Sequence, residues 1–106
     1  MIEKIFELLK EHKNVVVPFP NFNQYSKFLD ELEKTTDIRW GGTHGEKPTY
    51  GIGFWDNYTN NFCLNFQKVQ QSTRLFFGKR YYFLSSDRFY MYYPEHPKAF
   101  KRIEDV

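Results

Sequence analysis

"RYYFLSSDRFYMYY", Arg80 to Tyr93, is built almost entirely from tyrosine, phenylalanine and arginine around one short polar break. Side chains alternate faces along a strand, so the length of the reversal decides which of these residues share a side. With Ser85–Asp87 as a three-residue loop, Phe83 sits opposite Phe89, Tyr82 opposite Tyr90 and Tyr81 opposite Met91. One face then carries Tyr81, Phe83, Phe89, Met91 and Tyr93. The other carries Arg80, Tyr82, Arg88, Tyr90 and Tyr92. A two- or four-residue loop would place arginine among the apolar groups. The odd loop is therefore the expected one, although it lacks the glycine such loops usually want. This predicts a β-hairpin with one core face and a second, Arg–Tyr face that is either an exposed contact surface or one merely solvated or covered by the N-terminal or C-terminal helix.

Working outward, the elements before the hairpin mix helix and strand. Ile2, Ile5, Phe6, Leu8 and Leu9 recur at helical spacing, predicting a short amphipathic helix over residues 2–12. Val15–Val17 favour a strand, with Pro18 and Pro20 ending it. Asn21 followed three residues later by Gln24 is a helix-start pattern. Phe22, Tyr25, Phe28, Leu29 and Leu32 form one stripe of the helix that follows. "IRW" (38–40) reads as a strand and "YGIGFW" (50–55) as a short strand within a glycine-rich loop, residues 41–61. "FCLNFQ" (62–67) alternates, putting Phe62, Leu64 and Phe66 on a core face and Cys63, Asn65 and Gln67 on the other. The final "KAFKRIEDV" is expected to make a helical turn docking Phe100 and Ile103. The order predicts an α+β fold: an antiparallel β-sheet of about four to six strands, with two main helices packed on one face.

The chain has 106 residues, which suits a single globular domain, 1–106. Hydrophobic residues at 41% and charged residues at 26% exclude a disordered class. Aromatics reach 21%, with twelve Phe and eight Tyr. Each buries about 150–250 Å², more than a core of this size hides, so some are expected at the surface. Net charge is only +2, yet it is unevenly spread. Residues 1–73 hold eight basic and nine acidic side chains, whereas residues 74–102 hold seven basic and two acidic. The basic third and the aromatic third coincide.

Several chemistries are weak or excluded on residue types. A single cysteine, Cys63, allows no internal disulfide and no thiol-based zinc cage. "HGE" at His44–Glu46 lacks the paired cysteines of a zinc deaminase. A mononuclear metal site from His44, Glu46, Asp56 and His96 is a minor alternative, centred on the His44 loop as a small metal-dependent enzyme. "GIG" at Gly51–Gly53 lacks the third glycine and the helix of a dinucleotide loop. No catalytic residues, cofactor or resident metal are assigned. No segment approaches the roughly 18 apolar residues of a membrane span, and the N-terminus has acidic residues within its apolar run. The expectation is a cytoplasmic protein without a membrane partner.

Residues 15–93 resemble a group of small proteins from phages and prophages of Gram-positive bacteria. The likeness rests on "VVV", "YSKFLDEL", "IRWGG", "FCLNF" and "RLFFG", with Trp40 and Gly42 its most distinctive point. The added N-terminal helix and the aromatic end depart from it. The resemblance implies a phage accessory protein, of the kind that blocks host machinery or host defence by direct binding, as anti-CRISPR proteins do. It assigns no site residues.

The residues themselves support binding. Tyr and Arg are enriched at protein–protein hot spots, so the expected contact residues are Arg80, Tyr82, Arg88, Tyr90 and Tyr92, joined by Trp55 and Tyr58 from the glycine-rich loop. The partner expected is a host or defence protein. Nucleic acid is the alternative partner for the same surface, since aromatic rings stack bases while arginines track phosphates, though the modest net charge favours protein. An aromatic edge strand also fits a homodimer.

Overall fold

The structure is a computed structural model, and it describes residues 1–42, 44–57, 62–69, 72–79, 89–92 and 101–103. Three valines in a row, without polar alternation, suit a strand buried on both faces. That strand is β1 (Asn14–Pro18), and all five of its residues are buried. It follows helix α1 (Ile2–Leu8), which is shorter than the predicted 2–12 because the next turn tightens, with Lys10 N–H donating to the Glu7 carbonyl and Glu11 N–H to the Leu8 carbonyl.

Helix α2 (Phe22–Thr35) starts where the sequence predicts. The Asn21 side chain accepts a 2.9 Å hydrogen bond from the Gln24 backbone N–H, satisfying one of the donors that a helix start leaves open. β2 (Arg39–Trp40), β3 (Phe62–Val69), β4 (Ser72–Lys79), β5 (Phe89–Met91) and β6 (Lys101–Ile103) complete a six-stranded sheet of order β2-β4-β3-β1-β5-β6. The class is α+β, as predicted. The sheet is mixed rather than antiparallel: β1 runs parallel to β5 and β2 parallel to β4.

Three local expectations are corrected. "YGIGFW" is not a strand but part of a 3₁₀ helix, Pro48–Asn57. Residues 101–103 are strand rather than helical turn, because they close the outer edge of β5. β5 itself has β1 on one edge and β6 on the other. Neither edge of Phe89–Met91 is left for the hairpin pairing expected across Ser85–Asp87. Residues 80–88 and Tyr93 of that hairpin, like Phe100, lie outside the described residues.

The core is a single cluster. Ile2, Ile5, Leu8 and Leu9 meet Tyr25, Phe28, Leu29 and Leu32 of α2 and alternate residues of the sheet, including Val15, Val17, Phe62, Leu64, Phe66 and Leu75. Ring contacts make the α2–β3 join explicit: Tyr25 lies 4.5 Å from Phe62 and Phe28 6.0 Å from Phe66, both edge-on. The opposite face of the central strands is buried as well, with Val16, Cys63, Asn65 and Met91 all inside. "FCLNF" is therefore a fully buried strand, not a half-buried one, and the Cys63 thiol has no exposure.

Candidate binding surface

The 3₁₀ helix and the first turn of α2 together form an aromatic surface. A 3₁₀ helix repeats every three residues and eclipses side chains at i and i+3. Pro48 and Gly51 are accordingly buried and Phe54 half-buried on one side, while Tyr50, Gly53 and Asp56 are exposed on another. Two buried aromatics with polar tips hold this segment down. The Tyr25 hydroxyl donates to the Gly51 carbonyl, and the Trp40 indole N–H donates to the Pro48 carbonyl at 3.2 Å. Burial pushes the Tyr25 phenol well above its ordinary pKa.

The rings then build outward from that anchor. Trp55 stacks on Tyr25 (5.6 Å between centroids, 28° between planes) and tilts against Phe62 at 5.3 Å. Phe22, at the start of α2, meets Trp55 edge-on at 6.2 Å and is 44% exposed. On the far side Phe54 stacks on Phe77 at 4.1 Å and meets Tyr50 edge-on at 5.9 Å. Tyr50 is 60% exposed. Phe22 presents apolar area to solvent beside the half-buried Trp55, and Tyr50 does so separately on the far side, each from a base fixed by packing. Rigid, amphipathic rings of this kind lose little entropy on forming a contact.

Of the contact residues expected from sequence, Trp55 belongs to this surface. Tyr58, Arg80, Tyr82 and Arg88 lie outside the described residues. Tyr90 and Tyr92 are corrected: they are not on an exposed face. Tyr92 is only 5% exposed and belongs to the core cluster, and Tyr90 is half-buried against it. The physical reason is register. Tyr90 pairs in parallel with Val15, so it shares the side that Val15 turns to the helices, and its ring lies 3.8 Å from the His12 ring. Tyr90 and Tyr92 still share a side across Tyr90–Tyr92, but that side packs against the core and Met91 is buried on the other face.

His44, Glu46 and Asp56 are exposed, and His96 lies outside the described residues. Among the described residues no three His, Cys, Asp or Glu side chains lie together as a metal site would need. No helix among them is long and apolar enough to cross a membrane.

Two features escaped sequence reading. Phe22 looked like part of the core stripe of α2, and only its place in the first turn, beside the 3₁₀ helix, leaves it exposed. Asn65 looked like a solvent-facing polar residue of β3. It is fully buried, and among the described residues neither its amide oxygen nor its nitrogen has a hydrogen-bond partner. No protein-family model matches the chain, and no curated protein or solved structure matches it.

Proposed function

We propose that this chain is a non-enzymatic protein-binding module that engages its partner through the Phe22–Trp55 surface. The observation that carries this reading is the exposed Phe22 ring set edge-on against Trp55, itself stacked on the buried Tyr25. An exposed ring set against a half-buried tryptophan on a fixed base is costly to leave in water and suits a contact that buries it. The resemblance to phage and prophage accessory proteins supports a finer version: a phage-encoded inhibitor of a host or defence protein, anti-CRISPR-like and acting in the host cytoplasm. Tyr58, Arg80, Tyr82 and Arg88 are the further contact residues of that proposal.

The test is affinity capture from bacterial lysate with and without nuclease treatment, with the wild-type chain and a Phe22→Ala, Trp55→Ala variant in parallel. A protein retained by the wild type and lost from the correctly folded variant is the expected result. Retention that disappears on nuclease treatment, or that the variant keeps in full, would remove this reading.

A further inference from the structure

A second site lies at the β2 edge of the sheet, apart from the aromatic surface. The parallel β2–β4 register places Arg39 directly opposite Arg74. Like charges in that relation repel, and a carboxylate at either position would have paired. Three lysines of the chain do find carboxylates: Lys34 with Asp30 at 2.9 Å, Lys47 with Glu33 and Lys4 with Glu7, both at 4.0 Å. Among the described residues neither Arg39 nor Arg74 reaches a carboxylate or a hydrogen-bond acceptor. Both are half-buried rather than fully solvated.

The two arginines line one groove of about 480 Å³. Ser72 and Thr73 contribute hydroxyls beside them, Phe6 and Ile38 give an apolar wall, and Asp37 sets one carboxylate in the same space. Planar guanidinium groups match the oxygens of a phosphate in a bidentate way that no other cationic side chain does. The volume falls within the roughly 300–1,000 Å³ of small-ligand sites. Asp37 repels a second phosphate and accepts a hydrogen bond from a hydroxyl or amine. A continuous nucleic-acid backbone, with a charge at every step, fits this poorly.

We propose that Arg39 and Arg74 hold the phosphate of a small phosphomonoester of nucleoside-monophosphate size. Its ring lies against Phe6 and Ile38, and its hydroxyl or amine donates to Asp37. Among the described residues neither arginine has an ion-pair partner, and the ligand supplies one.

The experiment is thermal unfolding and titration calorimetry with inorganic phosphate, adenosine and uridine monophosphates, the bare nucleosides, and a single-stranded oligonucleotide. A ligand that binds only the folded state raises the unfolding temperature. The expected result is a rise with a monophosphate and none with its bare nucleoside. Arg39→Gln and Arg74→Gln should each lose the rise, while Arg74→Lys, keeping the charge but not the fork, weakens binding by roughly tenfold. Either Gln variant suffices should the other fail to fold. The proposal is overturned if millimolar monophosphate causes no shift, if folded Gln variants respond like the wild type, or if only the oligonucleotide binds.

Discussion

Gly51 lies flat against the Trp40 indole: a Cβ built on it would stand 1.9 Å from the ring carbon Cζ2. No L side chain fits there without displacing a fully buried tryptophan. The same close approach lets the Trp40 N–H reach the Pro48 carbonyl. Gly51→Ala should therefore destabilise the fold by roughly 1–3 kcal/mol, the usual scale for overpacking a filled core. Urea unfolding followed by tryptophan fluorescence measures it. Gly53, where an added Cβ meets nothing within 4 Å, is the control, and Gly53→Ala should change stability far less. Equal effects at the two positions would show that the indole is not what excludes a side chain at Gly51.

Tyr25 gives the fold a defined alkaline limit. Its hydroxyl is buried and donates to Gly51, and burial raises its pKa from the ordinary 10.0. The folded state therefore keeps this proton at pH values where the unfolded chain has lost it. Wherever the folded state binds more protons than the unfolded one, stability falls as pH rises. The contribution is complete below about pH 10 and declines above it. Tyr25→Phe should cost about 1 kcal/mol at neutral pH, from the lost hydrogen bond, and should flatten the alkaline decline. Denaturant midpoints collected from neutral to strongly alkaline pH for both chains provide the check, and parallel declines would assign the effect to other groups.

Asn65 carries the opposite kind of prediction. A buried amide whose donor and acceptor are both unmet costs about 1–3 kcal/mol, and Asn65 has no partner among the described residues. Its pairing neighbours are Val16 on one side and Phe76 on the other. Asn65→Val, nearer to asparagine in volume than leucine and suited to a strand, removes the unmet polar atoms, so it should raise the urea midpoint by an amount equivalent to about 1 kcal/mol. A clear loss of stability would mean that the amide is satisfied in solution.

The α+β class, the start of α2 and the strand character of β1 were legible, because local chemistry decides those. Asn21 and Gln24 fix a helix start within one turn, and an unbroken valine run favours a strand, though its burial on both faces was not read. The sheet order was not legible, because parallel pairing joins distant segments. Nothing in "VVV" names Tyr90 and Met91 as neighbours across 75 positions. The exposed face assigned to Tyr90 and Tyr92 failed for that reason: alternation tells which residues share a side, while the neighbouring strands decide which side is wet. The Arg39–Arg74 juxtaposition was hidden likewise, since each arginine alone reads as ordinary solvation.

Phe22 separates binding from folding. It stands in the first turn of α2 with 44% of its surface in water, and it touches Trp55 and Tyr25 only by ring contacts of 6.2 and 6.4 Å. Phe22 still buries more than half of its surface, so Phe22→Ala should cost about 1–2 kcal/mol of stability, less than the roughly 3–5 of a fully buried phenylalanine. If the Phe22–Trp55 surface is the contact, the same change removes a central anchor, and hot-spot truncations cost about 2 kcal/mol or more of binding, a factor of roughly thirty in affinity. Trp55→Ala should weaken binding at least as much but also loosen Tyr25 and Phe62 beneath it. Affinity for the captured partner and the urea midpoint, measured on the same preparations, distinguish the two roles. A Phe22→Ala chain that binds as well as the wild type places the contact elsewhere, and one that binds less only in proportion to its lost stability makes Phe22 a folding residue.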